Sequence, residues 1–218
     1  MIRLIHQSPA EAEGSTPGAN ERHADELAGL ARAAAAGDRS AIHALLVALA
    51  PHLLRSVRSL LGRNDADAED FAQEAALVVL AALPSFRGES TVLRFATRTA
   101  VLVAMNARRK RAASKRGSKV TSSERDLDEL GAASDSPEQR LARARATAAV
   151  RELLLTLPAP QAEALALHCV AGSSLAEIAE ASGAPLQTVK SRLRLARQAL
   201  REKLDAEPAL LELLEGES

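Results

Sequence analysis

Lys190, Arg194, Arg197 and Arg201 follow one another at steps of four, three and four residues. On a helix that spacing puts four cations on one face. Guanidinium groups in a row hydrogen-bond phosphate oxygens and the guanine edge, so the chemistry on offer is recognition of an anion rather than bond making. A second stripe runs beside them: Val189, Leu193, Ala196 and Leu200 recur with the same period and are apolar. One side packs and the other is a basic ridge.

The element that must hold this ridge lies just upstream. Leu175, Ile178 and Ala179 give a short helix one buried face, and Ser182-Gly183-Ala184-Pro185 ends it. Gly183 is free to take the positive φ of a tight turn, and Pro185 suits a helix start. Two helices around a glycine turn form a helix-turn-helix, whose second helix enters the major groove with its first residues at base edges. Gln187, Thr188, Lys190, Ser191, Arg192 and Arg194 are the expected reading residues, and Arg197 and Arg201 the expected phosphate contacts.

No nucleophile motif, carboxylate pair in a polar setting or phosphate-cradling glycine loop is present, so the chain is not expected to be an enzyme. The five histidines are dispersed, with no ligand spacing to Cys, Asp or Glu; neither metal nor cofactor is expected. Cys169, the single cysteine, stands among Leu165, Leu167 and Val170 and reads as a buried, inert thiol.

The 218 residues suit one or two domains, and 47% hydrophobic residues suffice for real cores. With three Phe and neither Trp nor Tyr, those cores must be aliphatic. No β-branched alternating run stands out, and an all-α fold follows. Total charge is balanced, at 28 basic and 28 acidic residues, but its distribution is not. From Arg87 to Lys119 ten basic residues face Glu89 alone, whereas Asp65 to Glu74 carries only acid. Separate surfaces for an anion and for a basic protein partner are implied.

Helices are expected over 25–36, 40–61 (bent near Pro51), 65–83 and 91–115, with a loop at 84–90. Residues 1–24 read as a disordered tail with neither a signal core nor a membrane span, pointing to a cytoplasmic protein without membrane insertion. Between 117 and 137 the apolar period is lost and a flexible linker is expected. A helix over 138–156 and another from Gln161 to Val170 lead into the helix-turn-helix, closing a second domain at 138–204. An acidic tail, 205–218, follows. Two small helical domains joined by a tether are the expected architecture.

Three segments together carry a family resemblance: Asp67-Ala-Glu-Asp-Phe-Ala-Gln-Glu74, Phe86-Arg-Gly-Glu-Ser90, and Leu157-Pro158 through Thr188-Val-Lys-Ser-Arg-Leu-Arg-Leu-Ala-Arg197. In that order, with a linker between, they resemble a bacterial RNA polymerase sigma factor of the extracytoplasmic function (ECF) group over about residues 25–204. The resemblance implies that Asp67, Glu69, Asp70, Gln73 and Glu74 dock on the clamp helices of the largest subunit of core RNA polymerase. It implies that Phe86, Arg87, Gly88, Glu89, Ser90, Phe95 and Arg98 capture an unstacked base of the proximal promoter element, with Arg108 and Arg109 on duplex phosphates. The helix-turn-helix would read the distal element of promoter DNA, and an anti-sigma factor would be a further partner. The chain departs from the family in its few aromatics after the loop, where Phe95-Ala96-Thr97 leads to Val101-Leu102.

Two other classes fit the residues. A conventional helix-turn-helix regulator would bind a palindrome as a dimer without polymerase. A helical protein-interaction module would need neither basic face.

Overall fold

The computed structural model describes residues 17–115, 151–152 and 154–206, and among them every regular element is a helix or helical turn. The linker, most of the helix expected over 138–156 and residues 207–218 of the acidic tail lie outside the described residues. The chain forms two compact units, one running to Arg108 and the other beginning at Arg109.

In the first unit α1 (Pro17–Ala35) and α2 (Arg39–Leu61) pack side by side. The start of α1 corrects the sequence reading: the helix begins at Pro17, so residues 17–24 are not tail. Proline fits a first helical position because its missing N–H would have no partner there. Leu27, Ala31 and Ala34 of α1 are buried, as are Leu45, Leu49, Leu53, Val57 and Leu60 of α2. Small alanines let the two backbones approach, which is how a core almost without aromatics stays filled.

Asp38 starts α2, its carboxylate accepting from the N–H groups of Ser40 at 2.8 Å and Ala41 at 3.1 Å. The helix runs through Pro51 without a break. Its length and apolar composition would let it cross a bilayer, but its leucine stripe is committed to the protein core.

Next, α3 (Ala68–Ala82) packs on α2 and passes into a short 3-10 turn, Leu83–Ser85. It starts three residues later than Asp65, because the Asp65 carboxylate accepts from the Asp67 N–H at 3.1 Å and makes a turn first. The loop 86–91 follows, and α4 (Val92–Lys115) buries Val92, Ala96, Ala100, Val101, Ala104, Met105 and Ala107 along one face.

The second unit contains α5 (Ala159–Cys169), α6 (Leu175–Ser182) and α7 (Leu186–Ala206), with α5 and α6 both packed on α7. Its core is Leu165, Leu167, Ile178, Val189, Leu193 and Ala196, each at most 2% exposed. Truncating Ile178 to Ala would cost about 2–5 kcal/mol and loosen the joint that aims α7.

Candidate DNA and polymerase surfaces

The joint between α6 and α7 is fixed at both ends of α6. Ser174 Oγ accepts from the Glu177 N–H at 3.2 Å while the Glu177 carboxylate accepts from the Ser174 N–H at 2.7 Å, a reciprocal cap. At the other end Gly183 has φ +60°, and the Ala184 N–H reaches back to the Ala179 carbonyl at 3.1 Å. A Cβ on Gly183 would meet nothing within 4 Å, so the dihedral and not crowding selects glycine. A side chain there would carry a strain of about 1–2 kcal/mol.

With that frame set, α7 turns Val189, Leu193, Ala196 and Leu200 inward and leaves Gln187, Lys190, Ser191, Arg194, Arg197 and Arg201 exposed. Thr188 and Arg192 are half-buried on the flanks. The sequence missed Leu186, 43% exposed in the first turn of the helix; its only sequence signal was its place beside Gln187.

Arg197 also has a partner that spacing did not reveal. Its Nη2 lies 2.8 Å from Nε2 of His168 on α5, and His168 Nδ1 lies 3.2 Å from the Ser173 carbonyl. Beside it, burial pushes the Cys169 thiol up to about 11, against the opposing pull of Arg197. The half-buried thiol is therefore protonated at neutral pH.

In the first unit Asp70, Gln73 and Glu74 are exposed on one stripe of α3. Asp67 is exposed at the N-cap and its side chain does not cap the helix. Glu69 is exposed as well but is held 3.3 Å from Arg58 of α2. On the same stripe as Asp70 and Glu74 stands Leu77, 67% exposed, next to Val78 at 45%. The sequence reading assigned neither to the surface, because an apolar residue in an apolar half-helix reads as core.

The loop places Phe86 and Phe95 against each other, with ring centres 5.0 Å apart and planes tilted by 37°. The Arg98 guanidinium lies 5.8 Å from the Phe95 ring centre. Both rings are half-buried, so stacking and core packing share the same two residues. Thr91 Oγ1 accepts from the Arg94 N–H at 3.2 Å and starts α4, while Gly88 has φ +74° in the exposed turn between. Arg87 and Glu89 point to solvent and Ser90 is half-buried. Arg108 is half-buried and donates to the Leu60 carbonyl at 3.4 Å, which braces the end of α2. Arg109 is exposed in the last turns of α4 and donates to the Glu163 carboxylate at 2.9 Å. Among the described residues no group of His, Cys, Asp or Glu could hold a metal ion.

Two helical units, one with an acidic face and a loop-led basic helix and the other with a helix-turn-helix, define a DNA-directed specificity protein with a protein partner. Residues 45–114 match the model for Sigma-70 region 2, and residues 147–200 that for Sigma-70, region 4. The chain is 32% identical over 177 residues to the ECF RNA polymerase sigma factor SigD of Mycobacterium tuberculosis, covering 79% of this chain and 81% of that one. It is 31% identical over 171 residues to the RNA polymerase sigma-H factor of Pseudomonas aeruginosa, covering 77% and 88%. Among solved structures it is similar to the sigma factor RpoE of Bartonella quintana, in complex with the anti-sigma factor NepR, with a TM-score of 0.51 at 25% identity over 74% of this chain and 95% of that one. The likeness to CnrH, solved with the cytosolic domain of CnrY, has a TM-score of 0.53 at 24% identity over 84% and 99%, and shows the fold. The chain belongs to the ECF group of RNA polymerase sigma factors. It binds core RNA polymerase and directs promoter recognition and transcription initiation, and the rival readings as a free-standing regulator or a bare interaction module fall away.

Proposed function

We propose that this sigma factor divides its work among three surfaces. The α3 stripe of Asp70, Gln73 and Glu74, with Asp67 and Glu69 at its start and Leu77 at its far end, docks on the clamp helices of the largest polymerase subunit. The loop Phe86–Ser90, with Phe95 and Arg98, takes the proximal element, with Arg108 and Arg109 on duplex phosphates through N–H groups that the Leu60 carbonyl and the Glu163 carboxylate leave available. Gln187, Thr188, Lys190, Ser191, Arg192 and Arg194 read the distal element while Arg197 and Arg201 grip its backbone, with Leu186 suited to a thymine methyl. The two domains are 25–116 and 138–204, preceded by α1's first turns and joined by the linker 117–137. The protein contributes no catalytic group and works in the cytoplasm. An anti-sigma factor, of the kind seen on the Bartonella relative, is included among its partners.

The observation that carries this reading is the α7 ridge, whose four exposed cations run beside a stripe that is 0–7% exposed. A merely solvated basic helix would not need its joint fixed by both a capping box and a left-handed glycine. Photo-crosslinkers placed singly at positions 73, 90 and 194 of the holoenzyme on promoter DNA test the division. Position 73 should capture the largest subunit, position 90 the non-template strand near the start site, and position 194 the upstream duplex. Capture of DNA from position 73, or of polymerase alone from position 194, would overturn it.

A further inference from the structure

We infer that His168 is a positioning residue for Arg197, holding its guanidinium on the DNA-facing ridge without cancelling its charge; this rests on the reading that the α7 ridge meets DNA.

The two contacts of the imidazole agree on one protonation state. Arg197 Nη2, 2.8 Å from Nε2, can only donate, so Nε2 must accept and carries no hydrogen. A neutral imidazole then has its hydrogen on Nδ1, and the group 3.2 Å from Nδ1 is the Ser173 carbonyl, which can only accept. An imidazolium could satisfy the carbonyl but not Arg197. Both contacts fit a neutral ring with its hydrogen on Nδ1, anchored to the α5–α6 connection.

That connection is itself well fixed. The Ser173 N–H donates to the Leu167 carbonyl at 3.0 Å, Ser173 is 1% exposed, and Ser174 begins the reciprocal cap of α6. A chain of hydrogen bonds thus runs from the frame of the helix-turn-helix to one cation of the ridge.

The identity of the acceptor matters. A carboxylate in place of His168 would hold Arg197 equally well but neutralise it, and a neutralised arginine has little to offer a phosphate. Imidazole nitrogen orients the guanidinium while leaving its net charge and its other N–H donors available for bidentate contact. Arginine otherwise loses much rotamer freedom on binding, and fixing it beforehand lowers that cost. Lys190, Arg194 and Arg201 have no such anchor among the hydrogen bonds described for the ridge, so Arg197 is the pre-set member of the four.

The test is a double-substitution cycle in the reconstituted holoenzyme. The probe is a distal-element duplex selected from a randomised library by the wild-type holoenzyme. H168L and H168M remove the acceptor at similar volume, so one folded variant suffices, and thermal melts identify it. Either should weaken binding by roughly 2- to 12-fold, the range for freezing one long side chain. R197A should weaken it as well and lower the salt slope by about one. In the R197A background the His168 substitution should do nothing further, and H168Q, whose amide oxygen restores an acceptor, should recover most of the loss. An undiminished His168 effect without Arg197, a His168 variant that binds like wild type, or an H168Q no better than H168L would overturn the inference alone. Unchanged binding by R197A would overturn the ridge reading and the inference with it.

Discussion

The α3 stripe and the α7 ridge are both exposed faces of amphipathic helices, yet they are built for different partners. On α3 three polar residues, Asp70, Gln73 and Glu74, run into Leu77, which is 67% exposed. An apolar centre with a charged border is how protein surfaces meet other proteins: water leaves the middle and charge sets orientation at the edge. On α7 the exposed stripe is dominated by cations, with Gln187 and Ser191 at its leading end and Thr188 half-buried on the flank. Phosphate contacts supply affinity without sequence, and the few polar groups near the N-terminus supply sequence. The charge is opposite, and the larger exposed apolar residue is on α3, with Leu77 67% exposed against 43% for Leu186.

The contrast is broken most strongly by reversing charge on α3. Asp70→Lys with Glu74→Lys should weaken core binding about 100-fold or more, since like charges across an interface cost several kcal/mol. Both sites are exposed, so stability should move by less than about 0.5 kcal/mol. Titration of labelled protein with core polymerase alongside a melt measures both, and unchanged core affinity would remove α3 from the interface.

Within α7, the comparison of reading with gripping is sharpened by two alanines. Arg194→Ala should cost about 1–3 kcal/mol on the preferred distal element and flatten discrimination against mismatched ones. Arg201→Ala, almost two turns further on, should weaken all sequences alike and lower the salt slope by about one unit. Holoenzyme binding at several salt concentrations separates the two patterns; a uniform loss from both would mean that α7 grips without reading.

Leu77→Ala tests the apolar half of the contrast. Truncation of an exposed leucine leaves the fold unchanged, while loss of an interface anchor should cost core binding about 1–2 kcal/mol. If core affinity does not move, the α3 face acts through charge alone and the two helices differ only in sign.

The smallest effect expected concerns Cys169, beside Arg197. Its thiol is raised from 9.0 to about 11 in the folded protein. Folding therefore favours the protonated form: the contribution is whole below pH 9 and is lost as pH rises toward 11. Alkylation at pH 8 should be slow in the folded protein and ordinary in denaturant, with the folded rate rising toward pH 11. Fast labelling at pH 8 would place the thiol in water and loosen the packing of α5 that supports His168.

Periodicity and punctuation determined a good deal. The all-helical class, the inward stripe of Val189, Leu193, Ala196 and Leu200 and the glycine turn at 183 are local properties, because each follows from side chains a few residues apart on one helix. The exposed acids of α3 were legible for the same reason. Element starts were less so, since Pro17 and the Asp65 turn depend on single hydrogen bonds and on a permissive first turn.

Contacts between helices were decided only by tertiary structure. That Phe86 meets Phe95, that Arg108 donates to the Leu60 carbonyl and that His168 accepts from Arg197 depends on which faces approach across 9, 48 and 29 residues of chain. Leu77 shows the same limit in reverse. An apolar residue announces itself as core in the sequence, and only the packed unit shows which leucines the available neighbours leave uncovered.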